Sequence, residues 1–430
     1  MTSLLACSRH PEIAAPDDNH PAIAEAAPES AAAPAIGAPL ELVESWPVET
    51  SLDRPRVRDT AGVWLEMIDG AEASVDLGEF YVATAPDSPL EPILAAIEAA
   101  AARGVRVRLL IDAKFYAKQP EGADRLAAIA GVEVRKLDLS ALGGVMHAKY
   151  FVVDGREAYL GSANFDWRSL AHIHELGVRL REPALVAGIA ALFAHDWAEA
   201  GADDPAAATW AGSPGGAAPT ASLDYGGAAH RITLVASPEA LLPDPSWWDL
   251  PRLIALIDGA TARVQLQLLS YAIVGYDGER FTAIDDALRA AAARGVEVEL
   301  LVADWNKRPP AIEDLQALQR VPGITVRMAT IPAAAAGFIP FARVIHSKAM
   351  TVDGRAAWVG TSNFSGDYFA RSRNLGVIVE GEAFAADVSR VFAGVWGSAY
   401  VYDVDPEATY EPPQVGPPPS DAPAKQRRAP

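Results

Sequence analysis

Short apolar or alternating runs at 75–81 and 105–111 are separated by an Ala- and Leu-rich stretch at 90–103. The same succession returns later in the chain, with runs at 264–271 and 296–302 around an Ala-rich stretch at 280–294. Runs of this length suit buried strands, and the longer stretches between them suit helices. After each set comes a β-prone run ending in Asp-Gly. The first is Tyr150-Phe151-Val152-Val153-Asp154-Gly155, with the return Ala158-Tyr159-Leu160. Asp-Gly between two such runs is a strong hairpin signal, because both turn positions need positive φ. Strands alternating with helices predict an α/β sandwich in each half.

The recurrence extends to individual residues. Ile68-Asp69-Gly70-Ala71 returns as Ile257-Asp258-Gly259-Ala260, and Arg103-Gly104-Val105 as Arg294-Gly295-Val296. His147, Lys149, Asp154, Gly161, Asn164, Phe193 and Trp197 return as His346, Lys348, Asp353, Gly360, Asn363, Phe392 and Trp396, all at one constant offset. An offset that grows through small insertions and then holds steady marks a duplication. The chain accordingly divides into a tether or signal remnant at 1–40, a first half at 41–200, a linker at 201–230, a second half at 231–403 and a Pro-rich, disordered tail at 404–430.

Strand periodicity puts His147 and Lys149 on one face, with Asn164 curling back from the return strand; His346, Lys348 and Asn363 repeat the arrangement. Pairing the two hairpins about a pseudo-twofold axis gathers two imidazoles, two ammonium groups and two amides around one pocket. This set suits phosphodiester cleavage. Cations and amides hold phosphate oxygens, one imidazole attacks phosphorus and the other protonates the leaving alcohol. Histidine serves both roles because it titrates near neutral pH.

Composition narrows the partners. The 430 residues carry a formal net charge of -20, which disfavours broad non-specific nucleic-acid binding but leaves room for a locally basic cleft. The single cysteine, Cys7, excludes an intrachain disulfide. Leu4-Leu5-Ala6-Cys7-Ser8 resembles the end of a bacterial lipoprotein signal, although only six residues precede the cysteine. Two locations are therefore expected as alternatives: an extracytoplasmic, lipid-tethered protein, or a cytoplasmic one if Cys7 is not lipidated. No apolar run of about 20 residues predicts a spanning helix.

The paired His-x-Lys and Gly-Ser/Thr-x-Asn elements resemble the HKD signature of the phospholipase D superfamily. Further strings are similar to its lysosomal exonuclease branch and poxvirus relatives. They include Leu42-Val43-Glu44-Ser45, Phe165-Asp166-Trp167-Arg168-Ser169-Leu170, Glu175-Leu176-Gly177-Val178 and Ile339-Pro340-Phe341-Ala342-Arg343-Val344. The resemblance implies two pseudo-symmetric phospholipase D-type halves forming one intramolecular site, and a phosphohistidine intermediate without metal or other cofactor. It implies structural roles for Asp154 and Asp353, and a substrate that is single-stranded nucleic acid or phospholipid. Members of that branch carry disulfides, which a chain with one cysteine lacks. A carboxylate near position 175 orients the motif imidazole in the family. Glu175 follows His147 by the same interval at which Asn374 follows His346. On that spacing His147 is expected to be the nucleophile and His346 the general acid, with Glu175 behind His147. A carboxylate favours the imidazolium, whereas an amide only orients.

Other readings stand beside these. His172, His174 and Glu175 could ligate a metal from one strand face, but no further ligand cluster has matching spacing. Trp167, Phe165, Phe364 and Tyr368 either stack on substrate or pack beneath the hairpins. Phe193, Trp197, Phe392 and Trp396 read as core, His195 as a surface or core-edge residue, and Arg343 as a phosphate contact or salt-bridge partner. Residues 82–89, 113–124 and 305–312 are expected as access loops. A non-catalytic binding protein keeping the fold is the competing class. Oligomeric state stays open, a homodimer being one option, since the duplication already supplies both half-sites.

Overall fold

A computed structural model describes residues 37–201, 216–275 and 278–417. Each half is a mixed sheet flanked by helices, and the strand orders correspond. In the first half Leu40–Ser45, Ile173–Leu180, Glu157–Gly161, Tyr150–Val153, Ser74–Glu79, Arg106–Asp112 and Val132–Leu137 lie side by side. In the second, Ala228–Ser237, Asn374–Glu380, Ala356–Gly360, Ala349–Val352, Arg263–Leu268, Glu297–Ala303 and Ile324–Ala329 follow the same order. The last three of each series are parallel, the first two of them linked through the helices Leu90–Ala102 and Ala283–Ala293; the hairpin strands Tyr150–Val153 and Ala349–Val352 pair antiparallel to Ser74–Glu79 and Arg263–Leu268.

The repeated tripeptides now have a physical reason. Gly104 and Gly295 follow these helices at φ near +90°, a conformation that costs glycine little, and Val105 and Val296 enter the next strand. Asp154 and Gly155 both have positive φ, as do Asp353 and Gly354, so each hairpin closes on a type I′ turn. The Asp154 carboxylate accepts from the backbone N–H groups of Glu72, Ala73 and Ser74. That of Asp353 accepts from Thr261, Ala262 and Arg263. Both aspartates thus tie the hairpin turn to the preceding helix-to-strand corner.

The two halves share a core. Leu160, Leu176 and Val178 from one sheet and Leu234, Val359, Leu375 and Val377 from the other belong to a single buried cluster, so the duplication is fused by apolar burial. Stacked pairs Phe193–Trp197 and Phe392–Trp396 sit on equivalent helices, at centroid distances of 5.6 and 5.1 Å. No helix among the described residues is long and apolar enough to cross a membrane.

Two boundaries need correction. Thr220–Tyr225 and Ala228–Ser237 form an antiparallel hairpin at the edge of the second sheet, so the supposed linker ends before 220. The supposed tail is packed through residue 417: Val404 is buried, and the carbonyl of Val415 accepts from the N–H of Phe341. Cys7, the remainder of the tether, 202–215 and 418–430 lie outside the described residues.

Candidate active site

The motif strands are held by the opposite half. His147 donates its backbone N–H to the carbonyl of Arg373 at 2.9 Å, and the N–H of Arg373 returns to Val145. In the second motif, His346 donates to the carbonyl of His174 at 2.8 Å, and Ile173–His174 pair in parallel with Val344–Ile345. Successive residues of an extended segment face opposite ways, so the residue after each bridging carbonyl turns into the site.

That register crosses the partners. Glu175 Oε2 lies 2.8 Å from His346 Nδ1, while Asn374 Oδ1 lies 3.0 Å from His147 Nδ1. The expectation that Glu175 stands behind His147 is therefore corrected, and the argument for His147 as nucleophile loses its premise. Closeness in sequence suggested a partner in the same half, but the strand bearing Glu175 is hydrogen-bonded to the other half's motif.

The surrounding bonds determine both tautomers. Glu175 also accepts from Ser162 Oγ and Ser169 Oγ, at 2.6 and 2.9 Å. A carboxylate only accepts, so His346 Nδ1 carries the proton and Nε2 is left bare. The amide of Asn374 donates to the carbonyls of Tyr368 and Ser372, and its oxygen accepts from Thr361 Oγ1. Its oxygen therefore faces His147 Nδ1–H, and that ring's Nε2 has no hydrogen-bond partner among the described residues.

Both histidines, Asn164 and Asn363 line one cleft, which encloses about 1160 Å³, part of it open to solvent. Lys149 and Lys348 are fully buried beside them, each ammonium bonded to the backbone carbonyl of its own motif histidine. The site brings together all six paired residues and Glu175. Asn164 and Asn363 each keep a buried Oδ1 without a partner among the described residues; phosphate oxygens only accept, so it is the Nδ2–H groups of these amides that are candidates to hold them.

Electrostatics favour neutral imidazoles before substrate arrives. Burial, together with Lys149 and Lys348, holds His147 well below its ordinary value. Burial also pulls His346 down to about 4, with Glu175 opposing. Burial alone would raise Glu175, but His346 and Lys348 outweigh it and keep the carboxylate ionised. Burial lowers Lys348 to about 7, again against Glu175. A bound phosphodiester anion supplies the charge that this pocket of cations lacks.

Phe80, which was not identified from sequence, and Tyr368, which was weighed as a stacking residue, touch the His147 ring at centroid distances of 5.0 and 4.6 Å, and Phe115 packs 4.0 Å from Phe80. Tyr81, Lys118, Arg168, Trp305 and Phe341 are also among the wall residues. Phe115, Lys118 and Trp305 fall in the expected access loops; Phe80 and Tyr81 lie just past the strand Ser74–Glu79, at the end of the run read at 75–81, and carried no functional signal. Of the four aromatics weighed between stacking and packing, Phe165 and Phe364 are core, Trp167 packs edge-on to His172, and Tyr368 reaches the cleft. Arg343 donates to the carbonyls of Pro332 and Val48, which occupies it with loop anchoring. His195 is buried against Asp196, whose carboxylate binds Arg373 in a two-pronged pair at 2.7 and 2.8 Å. The Arg373 guanidinium also donates to Ser237 and Leu241 carbonyls, fixing the strand that supports His147.

Known proteins share this architecture. The family profile described as "Cardiolipin synthase, PLD-like domain" matches residues 64–197 and 253–396. Phospholipase D Z of Dictyostelium discoideum is 30% identical over 400 residues, spanning 86% of this chain and 92% of that protein. The 5'-3' exonuclease PLD3 of Bos taurus is 32% identical over 402 residues, spanning 85% of this chain and 81% of the relative. Phosphatidylserine synthase of Haemophilus influenzae Rd KW20 is alike in fold, with a TM-score of 0.55 at 13% identity over 80% of this chain and 85% of that one.

Proposed function

The chain belongs to the phospholipase D superfamily as a phosphodiesterase with two PLD-like domains, and on that premise we propose that His346 is its nucleophile and His147 its general acid. The observation behind the assignment is the unequal backing of the rings, a carboxylate for His346 and an amide for His147. Binding of the phosphodiester anion lets His147 take up a proton from solvent at Nε2 and become an imidazolium. The Nε2 lone pair of His346 attacks phosphorus, and the bond to the leaving oxygen breaks as that oxygen takes the proton from His147 Nε2, which leaves His147 neutral. The phosphohistidine carries positive charge on a ring whose Nδ1–H faces ionised Glu175, which lowers the energy of the adduct. Water then gives its proton to neutral His147 and attacks phosphorus. The phosphorus–nitrogen bond breaks, and His346 returns to its neutral form. Lys149, Lys348, Asn164 and Asn363 hold the phosphate oxygens where charge develops.

We propose single-stranded nucleic acid as the substrate. The support is the cluster of flat faces at the mouth, Phe80, Tyr81, Phe115 and Tyr368, with the exposed ammonium of Lys118 over the Phe115 ring. Rings stack on any base, and an ammonium at the edge suits the next phosphate. Phospholipid is the second reading, favoured by Phe338 and Phe341, each 47% exposed, on the segment leading to His346. The assay offers an oligonucleotide with a free five-prime hydroxyl and, separately, a phosphatidyl lipid with an alcohol acceptor, both in EDTA. Cleavage of the first alone supports the proposal, and cleavage of the lipid alone reverses it. Turnover of neither by folded protein would leave the binding-protein class, and turnover surviving His147→Ala would mean that the cleavage does not come from this site.

A further inference from the structure

One buried histidine stands directly behind the nucleophile proposed above. His174 and Glu44 are both wholly buried, with Nε2 of the ring 2.9 Å from Glu44 Oε1. The other ring nitrogen, Nδ1, faces Gln267 Nε2 at 3.0 Å, and that same amide donates to Ser347 Oγ. The ring is thus clamped by the N-terminal strand Leu40–Ser45 on one side and by strand Arg263–Leu268 of the second half on the other. With the Gln267 amide nitrogen facing Nδ1, the other ring nitrogen, Nε2, is the one turned to Glu44.

The backbone of His174 does the connecting. Its carbonyl accepts from two successive N–H groups, His346 at 2.8 Å and Ser347 at 3.0 Å. The next residue in its own strand is Glu175. One peptide unit therefore joins the proposed nucleophile to its carboxylate partner, and the clamped ring holds that unit still. The pseudo-equivalent position is Arg373, whose carbonyl accepts from His147 and whose guanidinium is fixed by Asp196. The two half-sites solve the same problem with different side chains, and no cleft-lining atom belongs to either.

We propose that His174, oriented by Glu44 and Gln267, is a positioning residue that sets the hydrogen bond between Glu175 and His346. It touches no substrate. The contact it sets is short, and a displacement of about 1 Å in such a site costs on the order of a hundredfold in rate. Groups facing His346 are Glu175, Lys348, Lys149 and His147; only Glu175 raises its affinity for a proton.

The test compares His174→Leu, Glu44→Leu and Glu44→Gln in the full chain. His174→Leu and Glu44→Leu should lower kcat tenfold or more with KM within about twofold. They should also move the acidic limb of kcat/KM to lower pH, because a looser Glu175 no longer lifts His346. Glu44→Gln keeps an acceptor for the ring and should stay within about threefold of the parent. In nitrogen-15 histidine spectra the Nδ1–H signal of His346 should shift or broaden in the two leucine variants while that of His147 stays. Should either leucine variant not fold, Gln267→Leu loosens the ring from its other side and is expected to give the same pattern. Folded variants with parental kcat, limb and His346 signal would overturn the proposal. The inference rests on the role given to His346, but the spectra read the contact itself. A trapped adduct on His147 would thus refute the role without touching the positioning result.

Discussion

Replacing Glu175 by Gln removes one charge and almost no volume, and so isolates what the carboxylate contributes. The nitrogen–oxygen contact to His346 is 2.8 Å, which puts the centre of an imidazolium roughly 4 Å from the carboxylate. At an effective dielectric constant of ~20 that separation corresponds to about 4 kcal/mol. Lys348 also lies in the field of Glu175, so part of this is already offset, and about 2–4 kcal/mol is the reasonable range for the charge developing on the ring. The neutral hydrogen bond that Gln preserves contributes only about 1 kcal/mol, so charge and not orientation decides the outcome. Formation of the phosphohistidine should fall by roughly 30- to 1000-fold. Rapid-quench single-turnover experiments with a phosphorus-32-labelled diester, followed by mapping of the labelled peptide, measure both the rate and the site. A loss smaller than about fivefold, or label on the peptide bearing His147, would refute the reasoning.

Further outcomes follow from the same network. The free enzyme's kcat/KM should fall as pH rises through about 7, where Lys348 loses the ammonium that holds a phosphate oxygen, and a pH–rate profile checks this. Asp196→Ala leaves Arg373 charged and unpaired in the interior and should cost about 3–5 kcal/mol of stability in urea titrations, more than any exposed ion-pair loss. Asp353→Ala removes the acceptor for three backbone N–H groups and should cost about 1–3 kcal/mol near neutrality, discounted for its partly solvated surroundings. Burial by itself would raise the Asp353 carboxyl, but the N–H groups of Arg263, Thr261 and Ala262 together outweigh it and depress the group to about 2 in the fold. Its contribution is therefore present above about pH 4 and disappears as pH falls towards 2, where the stabilities of parent and variant should converge.

The hairpins show why so much of the site was legible. Asp154-Gly155 and Asp353-Gly354 fix a turn, the turn fixes a strand pair, and the motif histidine, lysine and asparagine follow at set distances from it. All of that is local chain geometry repeated twice. The edge hairpin 220–237 was less visible because its first strand, Thr-Ala-Ser-Leu-Asp-Tyr, is half exposed and lies beside a Gly- and Ala-rich stretch. The packed segment 404–417 has no periodicity of its own and is held by carbonyls that side chains such as Gln316 and Arg308 reach from elsewhere.

By itself the sequence determined the duplication, the α/β halves and the six polar groups that meet in one cleft. Which carboxylate serves which histidine was decided only by the tertiary structure. Glu175 stands nearer in sequence to His147, yet the strand that carries it is hydrogen-bonded to Val344–Ile345 of the other half. A local pattern says which way a side chain faces along its own strand. It carries no information about which chain segment lies opposite, because that is set by the apolar burial that presses the two sheets together. The same burial placed His174 between Glu44 and Gln267, three residues far apart in the chain whose proximity no spacing could announce.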